Sequence, residues 1–164
     1  MRQPADMVRE FMRAFECPIP ARLQPLPPVT DEPIDKKRLL QSLILARAGM
    51  QAVFTDPVRR LCVDLIFEEF IELVQAELDG DLEGVADALG DLEYVLHYSA
   101  IRKGIPLDEV FAEIHRSNMT KLDENGKPIK HPKTGKVVKG PNYEPPNITA
   151  ILKKEASCLS QSTK

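Results

Sequence analysis

Two short stretches of this sequence concentrate carboxylates in a pattern able to do chemistry: Glu68-Glu69-Phe70-Ile71-Glu72 and Asp87-Ala88-Leu89-Gly90-Asp91. Residues three or four apart share a helix face, so Glu69 projects with Glu72, and Asp87 with Asp91. The Asp79-Gly80 turn between the stretches would fold their helices back against each other. Glu72 lies seven residues before that turn and Asp87 seven beyond it, while Glu69 and Asp91 lie ten and eleven away, so the acids meet at matching depth. Converging carboxylates repel one another unless a cation fills the gap. An all-oxygen cluster suits Mg2+ or Mn2+, which keep several waters and take further ligands from substrate phosphates. Spacing alone leaves a second reading open. Asp64, Glu68 and Glu72 form an i, i+4 row, and an acidic row on a helix is ordinarily a solvated face.

The elements that must position these acids are helical. Asp56 before Pro57 is an N-cap and first-turn pair. It opens a helix through Val58 and Leu61 to about Leu78, and Asp81 starts the next, through Val85, Leu89, Leu92 and Val95 to about Arg102. Gly104 and Pro106 stop that helix. Leu107-Asp108 opens a third, through Phe111, Ile114 and His115 to about Lys121. Ahead of them, Ile34 to Gly49 is helical, with Leu39, Leu40, Leu43, Ile44 and Ala48 on one side. Met7 to Phe15 reads as a short amphipathic helix capped by Asp6. Between the two, Pro18, Pro20, Pro25, Pro27, Pro28 and Pro33 make an extended connector. Long helices joined by short turns predict an all-α, antiparallel helical bundle.

After Lys121 the texture changes. Pro128-Ile129-Lys130 and Lys136-Val137-Val138 flank a Gly-containing loop and predict a short C-terminal β-hairpin within an irregular, Lys-rich tail. The expected divisions are 1–33 for the N-terminal helix and connector, 34–122 for the helical domain, 123–148 for the hairpin and loop, and 149–164 for a polar, frayed tail.

Composition narrows the class further. The chain has 164 residues, 43% hydrophobic and 29% charged, with 5% aromatics and no Trp, so an aliphatic core must hold it together. A net charge of −3 does not suggest a nucleic-acid binder. Cys17, Cys62 and Cys158 lack any CxxC or Cys/His spacing, which leaves no zinc or disulfide framework and favours a reducing compartment. The N-terminus lacks the apolar core of a secretory signal, and no apolar run approaches the ~18 residues of a membrane span. The expectation is a cytoplasmic protein with no membrane partner. P-loop, GxSxG and HExxH motifs are absent from the sequence.

Glu68-Glu69-x-x-Glu72, followed by Ala88-Leu89-Gly90-Asp91-Leu92, resembles the EExxE…ExxD signature of the all-α NTP pyrophosphohydrolases. That superfamily includes MazG, dimeric dUTPases, dCTP pyrophosphatases and phosphoribosyl-ATP pyrophosphohydrolase. The likeness runs from about Val58 to Ile148. It is nearest the phage and bacterial MazG-like, or phosphoribosyl-ATP-pyrophosphohydrolase-like, group, whose members also carry a helix ending HRSNMTK and a tail like GKVVKGPNYEPP. The resemblance implies Glu69, Glu72 and Asp91 as metal ligands, with Mg2+ (or Mn2+) as cofactor and Glu68 as a supporting acid or catalytic base. Where the family has Glu three residues before the Asp, this chain has Ala88; Asp87, at i, i+4 from Asp91, is the substitute we infer. At the helix end beginning Arg116-Ser117-Asn118, the resemblance implies that Arg116, Asn118 and Lys121 bind substrate phosphates.

The activity so implied is hydrolysis of a (d)NTP to the monophosphate and pyrophosphate, with purines such as dGTP or GTP favoured, by a homodimer or homotetramer. Phosphoribosyl-ATP is the alternative substrate. A helical interaction module without catalysis is the competing class, its Pro-rich connector docking a partner and its acids simply exposed.

Overall fold

The computed structural model describes residues 2–27 and 36–162. Pro28, Pro33, the expected helix start at Ile34 and the side chain of Cys158 lie outside what is described. The fold is all-α, with six helices: α1 (Pro4–Ala14), α2 (Lys36–Val53), α3 (Pro57–Asp79), α4 (Leu82–Ile101), α5 (Leu107–Met119) and α6 (Ile148–Ser162). None of the described helices is long and apolar enough to cross a membrane. The chain divides into two compact units, one of Leu23–Gly104 and one of Met1–Arg22 with Ile105–Lys164.

In the first unit α3 packs against both α2 and α4. The Asp56 side chain accepts the Arg59 N–H at 2.7 Å, capping α3 and fixing where its first turn begins. The helix ends at Gly80 in the left-handed region (φ 68°), whose N–H bonds back to the Glu77 carbonyl. Asp81 then caps α4 by accepting the Gly84 N–H at 3.1 Å. Two caps separated by one turn make α3 and α4 a helical hairpin. Its seam is built from small residues: Cys62, Ala76, Val85, Ala88, Val95 and Ala100 are buried. A Cβ at Gly84 would lie 3.1 Å from the Ala76 methyl and 2.8 Å from an Asp81 carboxylate oxygen, so glycine is what lets the helices approach there. Much aliphatic surface remains outside this seam, with Ile44, Leu45, Leu89, Leu96, Tyr94 and Ile101 all exposed.

In the second unit α5 packs against α1 and α6. Helix α1 begins at Pro4, with Gln3 as its N-cap rather than the expected Asp6. Proline supplies the φ of a first helical residue and lacks an N–H that would be unpaired there, so the helix starts earlier and Asp6 falls in its first turn. Met7 and Phe15 are buried, and Phe11 stacks on Phe15 at 4.0 Å between ring centroids. Glu10 on α1 meets His115 on α5 at 3.2 Å.

The expected hairpin is present as two isolated antiparallel bridges, Leu122 with Pro128 and Lys130 with Val137, without a continuous strand among the described residues. Pro128 and Pro132 have no N–H to donate, so the ladder cannot extend. Residues expected to fray after 148 instead form α6. The Asn147 side chain caps it by accepting the Ala150 N–H at 3.1 Å, and Lys154 pairs with Glu109 of α5 at 3.1 Å.

The α3–α4 seam yields a stability prediction. Gly84→Val places branched bulk against Ala76 and should destabilise the protein by about 2 kcal/mol, as overpacking typically does. Chemical denaturation measures it. An unchanged midpoint would mean that the helices are free to separate at this point.

Candidate functional site

Helix α3 carries Glu68, Glu69 and Glu72, and α4, packed against it, carries Asp87 and Asp91. Glu69, half-buried on α3, has its carboxyl pushed above the ordinary value, first by burial and then by the charges of Glu72, Asp91, Glu68 and Asp87, in that order. Neighbours from both helices therefore act on one side chain, as the spacing about the turn requires. Glu72, Asp87 and Asp91 are exposed. Glu72 and Asp87 also line a groove of about 380 Å3 whose other wall includes Leu40 and Ile44 of α2. A larger recess of about 570 Å3, lined by Gln51, Arg60 and Asp64 among others, contains none of the four expected ligands.

Among the described residues, no three Asp, Glu, His or Cys side chains are gathered into a ready-made metal cage. Like charges without a counter-ion repel one another, and the neighbouring acids add to the burial that raises the Glu69 carboxyl. The donor set fits a hard divalent cation: it is all oxygen, anionic and open to water.

Glu68 also has a partner on α2. It lies 3.2 Å from the Arg47 guanidinium, which also holds Asp64 through two contacts of 2.7 and 3.0 Å. Gln51 donates to Asp64 at 2.7 Å. The Arg47 hydrogen bond holds the Asp64 carboxyl below its ordinary range. The acidic row of α3 is thereby partitioned, with Asp64 and Glu68 paired to α2 and Glu72 left on the groove. Arg47 escaped the sequence analysis because an arginine on a predicted helix carries no sign of which carboxylate it will reach.

In the second unit the end of α5 does two separate jobs. Arg116 makes two contacts of 2.9 Å to Glu113 and one of 2.7 Å to Glu144. Ser117, buried, donates to the Glu144 carbonyl at 2.7 Å, and the Glu144 N–H donates to the Thr120 hydroxyl at 2.9 Å. Glu113 also accepts the Asn147 N–H at 2.7 Å. The guanidinium and that N–H draw its carboxyl down to about 2. Arg116, Ser117 and Thr120 thus fasten the tail to α5, and the charge of Arg116 is matched by two carboxylates. Asn118 and Lys121 pair with each other instead, the ammonium donating to the carboxamide oxygen at 2.7 Å. Ser117 and Thr120 were missed as structural residues, although a hydroxyl run beside a proline-rich tail was visible.

Residues 37–118 match the family model described as phosphoribosyl-ATP pyrophosphohydrolase, and the chain belongs to that family. The match spans α2, α3 and α4 and closes at Asn118. In fold, the chain is similar to a crystal structure of a candidate NTP pyrophosphohydrolase from Exiguobacterium sp. 255-15, with a TM-score of 0.57, 21% identity and 99% of each chain covered. No curated protein matches the chain.

The crowding of Glu69 has a pH signature. Because its pKa is raised by folding, the folded protein keeps a proton that the unfolded chain has already released. Stability that rests on this proton is present at low pH and is lost as pH rises from the ordinary carboxylate value through the raised one. Glu69→Gln cannot lose it. In EDTA, the variant should therefore melt above wild type at neutral pH and show a flatter melting profile between pH 4 and 7. Parallel profiles would mean that Glu69 is not crowded.

Proposed function

We propose that the protein is a Mg2+-dependent nucleotide pyrophosphohydrolase that converts a (d)NTP to the monophosphate and pyrophosphate. The observation that carries this reading is the pairing of α3 with α4, which sets Glu72 and Asp87 on one groove; the Glu69 carboxyl, raised first by burial and then by acids of both helices, agrees with it. Membership of a pyrophosphohydrolase family supports it.

Glu69, Glu72 and Asp91 would hold the cation, with Asp87 supplying the acid that Ala88 cannot. Mg2+, or Mn2+ in its place, would offset phosphate charge and favour ionisation of water. Glu68, held by Arg47, would accept the proton of the attacking water. The water oxygen joins one phosphorus of the α–β bridge, the bridging P–O bond breaks, and pyrophosphate and monophosphate separate. Asn118, Lys121 and Arg116, the residues that the resemblance implies as phosphate ligands, would steady the charge on the departing phosphates.

Purine triphosphates, dGTP and GTP, are the proposed substrates. Phosphoribosyl-ATP is the second reading, favoured by the description of the matching family model. We assign the exposed apolar residues of α4, Leu89 with Leu96 on one face and Tyr94 with Ile101 on another, to the interfaces of a homodimer or homotetramer. Free thiols at Cys17 and Cys62 suit a reducing cytoplasm.

A panel of (d)NTPs and phosphoribosyl-ATP, scored for pyrophosphate and for the monophosphate product, tests the activity. Turnover should require Mg2+ or Mn2+ and vanish in excess EDTA. Turnover that survives EDTA would refute the metal reading, and no turnover on any nucleotide would favour the interaction module.

Asp87 has its own test. Asp87→Asn should raise the Mg2+ concentration needed for half-maximal rate, whereas Glu83→Gln, one turn earlier on α4, should leave it unchanged. Equal responses would place the fourth ligand elsewhere.

A further inference from the structure

The lysines that follow α5 are not all alike. Lys130 pairs with Glu16 at 3.1 Å. Lys139 has its ammonium 4.2 Å from the centroid of the Tyr143 ring, and no carboxylate among the described residues pairs with it. An aromatic face steadies a cation without neutralising it. Lys121 is in the same condition, since the Asn118 carboxamide that holds it is neutral. Arg116, on the last turn of the same helix, is the contrast, with its charge met by Glu113 and Glu144.

The two uncompensated lysines start from neighbouring points of the backbone. At Gly140 a Cβ would lie 2.9 Å from the Lys121 carbonyl oxygen and 3.0 Å from that of Leu122. Both are backbone atoms and cannot swing aside. The returning chain therefore rests directly on the end of α5, one residue after Lys139. It is pinned there by Thr120 and Ser117 on Glu144, while the Tyr143 N–H on the Gly140 carbonyl at 3.2 Å closes the turn between them.

We propose that Lys139 is a second polyphosphate-binding residue, delivered beside Lys121 by the close packing of Gly140 on the end of α5. The inference rests on reading Lys121 as a phosphate ligand, and it adds the residue that would share the anion. Two ammonium groups, each held in place by a neutral partner, keep the full charge that a di- or triphosphate end requires. The competing account is that both lysines merely complement the negative end of the helix dipole. That would make them contributors to stability rather than to binding.

Calorimetric titration of the full chain with inorganic tripolyphosphate, in Mg2+-containing buffer, separates these accounts. Lys139→Ala and Lys121→Ala should each weaken binding about tenfold, as loss of a charge-assisted contact typically does. The double variant should be weaker by roughly a hundredfold if the two contacts are independent. Lys139→Arg should restore most of the binding, Lys133→Ala in the hairpin turn should change nothing, and melting temperatures should stay at the wild-type value. Wild-type affinity in Lys139→Ala, with Lys121→Ala weakened, would overturn the assignment of Lys139 and leave the clamp reading standing. Unchanged affinity in both would overturn the two together. Equal weakening by Lys133→Ala would reduce the effect to diffuse charge, and a lower melting temperature with unchanged affinity would return both lysines to the helix dipole.

Discussion

The close approach of α3 and α4 is the constraint from which the acidic site follows. Glu69 receives the charge of Asp87 and Asp91 only because a left-handed residue at Gly80 and a cap at Asp81 reverse the chain within one turn. The small side chains of Ala76, Gly84 and Ala88 then allow the two backbones to lie close along the seam. Larger residues there would bury more apolar surface and add hydrophobic stability, about 25 cal/mol for each Å2 removed from water. They would also widen the seam and let the carboxylates relax apart. The hairpin thus gains a close approach of its backbones at the expense of a large core.

That trade explains why so much aliphatic surface lies outside the seam. Tyr94 and Ile101 are 74% and 76% exposed on the same helix that carries Asp87 and Asp91. A helix hairpin with a seam of alanine and valine has little to hold it together by itself, since tertiary packing supplies most helical stability. Arg47 supplies a polar substitute on the α2 side, tying Asp64, and with it Glu68, to the neighbouring helix. Removing one partner of such a half-buried network leaves the others uncompensated, so Arg47 is a structural residue as well as an orienting one.

The sequence made the helices legible because their punctuation is chemical: Asp56-Pro57, Gly80-Asp81 and Gly104 through Pro106 mark ends that the structure respects. Spacing about the Gly80-Asp81 turn likewise anticipates that Glu69 on α3 feels the charges of Asp87 and Asp91 on α4. What stayed hidden depends on where long side chains finish. Arg116 seemed a phosphate donor from its place in HRSNMTK, yet its guanidinium bridges Glu113 and Glu144, which lie three residues before it and 28 after. The helix at 148–162 was hidden too, because its cap Asn147 is fixed by Glu113 of another helix and the local composition is polar.

The pairing of α1 with α5 bears on how the chain comes into being. Ala14 ends one helix and Leu107 begins the other, with the whole acid-bearing unit between them. During synthesis α1 leaves the ribosome long before its partner, carrying Met7, Phe11 and Phe15 with nothing to cover them. Closing so long a loop is not prohibitive, since each doubling of its length adds only about 0.6 kcal/mol of entropy. The delay itself matters more. The inserted α2–α3–α4 segment is complete in the emerging chain while α1 still lacks its partner, so the aromatic face of the first helix stays uncovered until α5 has been made.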